Sequence, residues 1–274
     1  MVSHFRHWRE TLEDLGVLGF VRSAATPEAV PARAGPAAVG STRPVPVPVP
    51  RPAASPTRGS SNPAAPYHPP ADPVGRPAPE AVAACTSLAD LEKAISGCLA
   101  CALGPGRLRF VFGEGHPQAD LMFIGEGPGR DEDLQGRPFV GRAGELLDKM
   151  IGAIGLRRED VYIANVIKCR PPDNRTPTAE EAGACLGYLH RQIQLVQPKV
   201  IVTLGATPLR ELLGITTGIT RVRGQWQRLG EIPVMPTFHP AYVLRQYTQE
   251  VRRAVWADLI AAKQWMDGQG GPGN

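Results

Sequence analysis

The chain has 274 residues, with 30 Lys+Arg against 26 Asp+Glu and a formal net charge of +4. No apolar run approaches the ~18–20 residues of a membrane-spanning helix, so no membrane protein is expected. Of the 29 Pro, 16 fall within residues 21–80, so the overall composition averages two different materials.

In chain order, residues 1–22 read as a short amphipathic helix. Phe5, Trp8, Leu12 and Leu15 recur at helical spacing on one face. This segment is a candidate docking motif for a partner protein, the alternative being a frayed terminus with no partner. Met1–Glu10 has no apolar core of a secretory signal, and its acids argue against a transit peptide. The expected location is the cytoplasm, with the nucleoid. The five Cys are then expected to be reduced, as metal ligands or core residues. Residues 23–82 are Pro/Ala-rich text such as Arg43-Pro-Val-Pro-Val-Pro-Val-Pro-Arg51. Such a segment cannot bury a core and is expected to be a disordered tether with polyproline II stretches. Residues 83–268 have the composition of a globular domain, and residues 269–274 form a loose tail. Excess positive charge is mostly in residues 21–80, so nucleic-acid binding by the domain must rest on local patches.

Within the domain, four apolar runs read as strands: Leu121–Ile124, Val161–Val166, Val200–Leu204 and Ile232–Phe238. Successive apolar positions indicate strands covered on both faces. Helical patterns follow each run: Glu145–Ile151, residues 178–197, Ala206–Leu213 and residues 250–266. Thr178-Ala-Glu-Glu181 is a capping box for the second. The alternation predicts an α/β fold, a three-layer α/β/α sandwich around a four-stranded, mainly parallel sheet. Ligands of such sheets bind beyond the carboxyl ends of the strands, here Gly125–Gly144, Asn165–Pro177 and His239–Arg245.

The loop after the first strand, Gly125-Glu-Gly-Pro-Gly129 through Gly136-Arg-Pro-Phe-Val-Gly141 to Gly144, matches no phosphate motif. A dinucleotide fingerprint would need Gly at Arg130, and a P-loop would need Lys-Ser/Thr at Arg142-Ala143. Flexible glycines, a strand-end carboxylate and a Phe after Pro138 suit a pocket that grips a planar ring. Cys98-Leu-Ala-Cys101 is a C-x2-C, followed by Cys169 after 67 residues and Cys185 after 15 more. Four thiolates fit an iron–sulfur cube or a structural zinc, and spacing does not choose between them. Cys85 is left over as a structural residue.

These motifs together resemble the family 4 uracil-DNA glycosylases. The resemblance is carried by Gly125-Glu-Gly-Pro-Gly129 with Glu132-Asp133 and Gly136–Gly144, by Asn165-Val-Ile-Lys-Cys-Arg-Pro-Pro172, by Phe238-His-Pro-Ala-Tyr242 and by the four Cys. It runs from about Leu88 to Trp265 and leaves out residues 1–82. It implies a monofunctional DNA repair glycosylase acting on uracil in single- or double-stranded DNA, and a monomer is expected. Phe139 would stack on the flipped base, and Asn165 would bond O4 and N3–H. His239 would donate to O2, with Glu126 and Gly127 at the sugar side and Glu132 near the C5 edge. Cys98, Cys101, Cys169 and Cys185 would hold a [4Fe–4S] cluster. Glu126 and Glu132 are both candidates to activate water, because Gly127 stands where some relatives place an Asp.

Lys168, Arg170, Arg175, Arg221, Arg223 and Arg245 are candidate phosphate contacts along this edge, the alternative being a solvated charged rim. Two other readings compete with the glycosylase: a non-catalytic iron–sulfur DNA-binding or polymerase-associated module, and a zinc-stabilised hydrolase acting on nucleotides. Asn165, Phe139 and His239 together favour the enzyme, since backbone binding needs no reader of base edges.

Overall fold

Leu121-Met-Phe-Ile-Gly125 is buried at all five positions, which a strand achieves only when both faces of its sheet are covered. The computed structural model describes residues 75–269, and this strand (β2) lies inside its sheet. It pairs in parallel with β3 (Tyr162–Asn165) and β4 (Val200–Leu204), and β4 pairs in parallel with β6 (Ile232–Thr237). Two antiparallel edge strands, β1 (Glu114–Gly115) and β5 (Gln227–Leu229), complete the order β1-β3-β2-β4-β6-β5. The sheet therefore has six strands, not the four marked by apolar runs. The two additions are two and three residues long and none of their positions is buried, so no apolar pattern announces them.

Side-chain alternation sorts the strands between two cores. Leu121, Phe123, Val200 and Val202 pack with α4 (Arg142–Ala153) and α9 (Gln249–Met266). Met122, Ile124 and Ile201 pack with α2 (Leu88–Ile95), α5 (Ala179–Val196) and Leu212 of α6 (Ala206–Leu213). This is the three-layer sandwich. The expected capping box closes at α5: Thr178 Oγ1 accepts from Glu181 N at 3.2 Å, and Glu181 Oε2 accepts from Thr178 N at 2.9 Å. On the opposite layer, buried Asp258 of α9 accepts from Thr237 Oγ1 of β6 at 2.6 Å and from Arg223 Nε at 2.9 Å, tying that helix to the sheet.

Helix α1 (Pro79–Ala84) begins inside the segment that composition assigns to the tether, and Val82 and Cys85 join the α2/α5 core. The amphipathic motif at 1–22, the tether up to residue 74 and the tail from 270 lie outside the described residues. Among the described residues, no helix is long and apolar enough to cross a membrane.

Candidate active site

The parallel strands end at Gly125, Asn165, Leu204 and Thr237, and the loops leaving them surround a cleft of about 770 Å³. Glu126, Gly127, Glu132, Phe139, Asn165 and His239 all line it, so the strand-end rule brings the six expected pocket residues together.

Asn165 closes β3 opposite Gly125 of β2. It is 2% exposed, and its Oδ1 has no hydrogen-bond partner. A buried acceptor left unpaired costs about 1–3 kcal/mol, a cost that a ligand N–H would relieve. Gly125 makes the approach possible. A Cβ there would lie 2.4 Å from Asn165 Oδ1 and 2.5 Å from Phe139 Cζ.

Phe139 is buried, and its ring centroid stands 5.6 Å from that of His239. Its φ is +51°, a left-handed conformation that bulky side chains rarely adopt and that surrounding contacts must enforce. Two of them do. Gly144 of α4 lets the Phe139 carbonyl sit where any Cβ would collide with it, at 1.9 Å. Glu132, on α3 (Arg130–Gln135), straps the loop: Oε1 accepts from Val140 N at 2.9 Å and Gly141 N at 3.1 Å, and Oε2 from Gly129 N at 3.0 Å. Glu132 thus lines the cleft but spends its acceptors on backbone, which makes it a scaffold of the ring-gripping turn and a poor water base.

Glu126 is the contrasting carboxylate. Only its Oε2 has a partner among the described residues, Thr207 Oγ1 at 2.5 Å. Thr207 is buried in the first turn of α6, and sequence reasoning missed it. The signal was available: Gly205-Ala-Thr207 leaves the end of β4 just as the other site loops leave theirs.

His239 caps α8 (Pro240–Arg245), with Nδ1 accepting from Ala241 N at 3.1 Å. Burial first, then the nearby Arg245 charge, push its pKa down to about 4, with Glu132 opposing. The imidazole is therefore neutral at pH 7. Because Nδ1 accepts, the proton is assigned to Nε2, which is left as a donor.

The candidate phosphate contacts divide. Arg175 and Arg245 line the cleft, as do Arg130, Arg142 and Arg210, which sequence reasoning did not single out. Arg175 is shared with Glu181, at 2.7 Å. Arg170 and Arg221 are not among the lining residues, and Arg170 Nε donates to Asn174 Oδ1 at 2.7 Å. Arg223 is committed to Asp258 and lies over the Phe238 ring, 5.7 Å from its centroid. Lys168 is a clear correction: it is 0% exposed, and Nζ donates to Asn165 O at 2.7 Å and Gln192 Oε1 at 2.6 Å. It cannot reach a phosphate. Burial lowers its pKa to about 8, and Cys185 and Cys169 resist that shift.

Those two Cys belong to a thiol-rich part of the α2/α5 core. Cys98, Cys169 and Cys185 are buried in this core and Cys101 packs against it. Burial raises the thiol pKa of Cys101, that of Cys169 to about 11 and that of Cys185 to about 12, and neighbouring thiols of the set add to each shift. Arg107 bridges the set, with Nη1 donating to Cys98 O at 2.5 Å and to Cys169 Sγ at 3.5 Å. Among the described residues no three His, Cys, Asp or Glu side chains already stand at metal-holding geometry. The donor chemistry nevertheless fits a thiolate-bound group. Neither Arg107 nor Lys168 is among the described ion pairs with carboxylates, and ionised thiolates would supply the missing negative charge. Cys85 stands apart, its Sγ donating to Ala81 O at 3.2 Å.

Comparison with known proteins agrees with this geometry. The sequence pattern of the Uracil DNA glycosylase superfamily matches residues 112–260. The Type-4 uracil-DNA glycosylase of Thermotoga maritima is 50% identical over 180 residues, covering 64% of this chain and 93% of that protein. Those of Archaeoglobus fulgidus and Sulfurisphaera tokodaii are each 45% identical, over 63% of this chain and 90% and 82% of their own lengths. With its strand-end cleft and its four thiols, the chain belongs to the uracil-DNA glycosylase superfamily, in the type-4 branch.

Proposed function

We propose that the protein is a DNA repair enzyme that hydrolyses the N-glycosidic bond of uracil in DNA, leaving an abasic site. The observation that carries this reading is the buried, unpartnered Asn165 Oδ1 at the wall of the cleft. Uracil presents N3–H as a donor beside O4 as an acceptor, which an Asn amide matches through Oδ1 and its NH₂. Cytosine presents the reverse pattern and leaves both sides unpaired. A site built on such a match can reject the mismatched base by ~10⁴-fold or more.

The remaining residues follow from the charges the reaction creates. Phe139 stacks on the flipped base and offsets the loss of its neighbours in the helix. As the bond breaks, negative charge grows on uracil O2 and positive charge on the sugar. The Nε2–H of neutral His239 stabilises the first. Glu126, held through one oxygen by Thr207, faces the second and is the candidate to orient the attacking water. Gly127 supplies no second carboxylate, since a Cβ there would lie 2.6 Å from Ile167 Cγ1. Arg130, Arg142, Arg175 and Arg245 are the proposed phosphate contacts, for single- or double-stranded DNA.

Cys98, Cys101, Cys169 and Cys185 would hold a [4Fe–4S] cluster, which when bound cross-links the segment after α2, the segment after β3 and α5. A structural zinc is the alternative. The catalytic unit is residues 79–268, beginning with the helix whose Val82 joins the core, acting as a monomer in the cytoplasm, with the Pro/Ala-rich residues before it as a tether and residues 1–22 as a docking motif for a replication or repair protein.

The test is uracil release by purified protein from uracil-containing single- and double-stranded oligonucleotides, with a thymine control. Alkali-labile sites at uracil only are expected. No release by protein that retains its visible absorbance would contradict the enzyme and favour a non-catalytic DNA-binding module.

A further inference from the structure

Arg158 stands in the single 3₁₀ turn Arg158–Asp160 that leads into β3, and its side chain is 17% exposed. Its guanidinium reaches three acceptors on three different segments. Nε donates to Glu114 Oε1 of β1 at 2.5 Å, and Nη1 donates to Asp148 Oδ1 of α4 at 2.6 Å. Nη2 donates to the Pro138 carbonyl. Ion pairs near a surface are worth little in themselves, so the bond to Pro138 is the one that asks for a reason. Pro138 is buried and has no N–H, which leaves its carbonyl as its one main-chain hydrogen-bonding group. The next residue is Phe139, held at φ +51° in the wall of the cleft. The φ and ψ of a residue are the relative setting of the two rigid peptide planes that flank it. The plane before Phe139 carries the Pro138 carbonyl, taken by Arg158. The plane after it carries the Val140 N–H, taken by Glu132 Oε1 at 2.9 Å. Arg137 adds a further tie on the first leg of the turn, with Nε donating to Glu114 Oε2 at 2.7 Å.

We propose that Arg158 is a positioning residue for the base-stacking ring, fixing the peptide plane before Phe139 as Glu132 fixes the one after it, so that the left-handed turn is set before a base arrives. The inference rests on the reading of Phe139 as the residue that stacks on uracil. A bulky residue keeps such a conformation only where its surroundings over-determine it. With Glu132 alone in place, the Pro138–Phe139 plane is free to rotate. Phe139 can then return to negative φ, and its ring leaves the stacking position. Arg158 itself is not among the residues that line the cleft, so its influence on the reaction passes through Phe139. Lysine is a poor substitute, because one ammonium does not reproduce a rigid guanidinium fork aimed at three acceptors.

The test is a double-mutant cycle of Arg158→Met with Phe139→Ala on the full-length protein, read by single-turnover uracil release. Arg158→Met is expected to slow release by about tenfold or more, the scale on which a small misplacement of a site group costs rate. In the Phe139→Ala background it should change the rate by about twofold or less, because the ring it positions is gone. A second readout does not depend on uracil. Hydrogen exchange of residues 137–144, followed by mass spectrometry, should speed up by about tenfold or more in Arg158→Met, and by much less in β2. Arg158→Lys should shift both readouts in the same direction by less, and it stands in for Arg158→Met if that variant does not fold. Release within about twofold of wild type would overturn the proposal. So would an equal slowing in both backgrounds, or exchange that rises as much in β2 as in the turn, since either marks a merely structural role. Failure of the underlying reading is separable. The wild type would then release no uracil, or Phe139→Ala would release it at the wild-type rate, while the exchange arm still reports on Arg158.

Discussion

The cleft and the thiol pocket are joined by five residues, Asn165 to Cys169, yet they are incomplete in opposite ways. The cleft holds a buried acceptor without a donor, Asn165 Oδ1. The pocket holds buried or bridging cations without a carboxylate, Lys168 and Arg107. Buried polar groups are almost always paired, so each deficit describes what is absent from the polypeptide. The cleft offers a buried acceptor to a ligand N–H. The pocket offers two cations to negative charge. The same contrast runs inside one loop: Glu132 has both oxygens engaged by backbone N–H groups, whereas Glu126 keeps one oxygen without a partner among the described residues.

That contrast can be broken by substitution. Glu126→Gln should lower uracil release by about 10²–10³-fold, the scale of general-base or charge stabilisation, with the melting temperature unchanged because Gln still accepts from Thr207. Single-turnover rates beside thermal melts check both halves, and an equal fall in stability would place Glu126 with the scaffold. Glu132→Ala should do the reverse. It strips three backbone N–H groups of their acceptor and should cost about 2 kcal/mol of stability, seen as a lower urea midpoint, with activity falling only as the Phe139 turn loosens.

The pH dependence sharpens the comparison from the cleft side. His239 has a native pKa near 4, against 6.5 unperturbed. Between those values the unfolded chain binds the extra proton, so the His239 contribution to stability is complete above 6.5 and is lost as pH falls toward 4. Wild type should therefore lose on the order of 1–2 kcal/mol more than His239→Gln between about pH 7 and pH 5, measured by urea unfolding. Its rate should show no inflection at the ordinary imidazole value. The smallest effect is expected at the rim. Arg142→Ala should raise KM a few-fold and reduce the salt slope of DNA binding by about one, leaving kcat alone.

Much of this was legible in the sequence, for identifiable reasons. Four apolar runs bounded by turns gave the parallel strands, the strand-end rule then gave the three loops that surround the cleft, and the resemblance to the family 4 glycosylases singled out Glu126, Phe139, Asn165 and His239 within them. Strands β1 and β5 were not legible, because two or three half-exposed residues carry no period. Thr207 was overlooked only because the rule was not applied to the end of β4. The basic residues were the weakest part. A Lys or Arg in a strand-end loop looks the same whether it faces DNA or the core. What decides is a partner far along the chain: Gln192 for Lys168, Asp258 for Arg223. The pairing of Glu132 with the Phe139 turn was hidden for a similar reason, since backbone N–H groups leave no mark in a sequence.

The central claim is that Asn165 reads uracil through an acceptor that the protein itself leaves unpaired. The most direct test compares wild type and Asn165→Ala in single-turnover uracil release, alongside thermal melts of both. The account predicts a loss of about 10²-fold or more with an equal or higher melting temperature, because the substitution removes an unsatisfied buried group and breaks no side-chain bond to Oδ1. Uracil release by Asn165→Ala at the wild-type rate would contradict it.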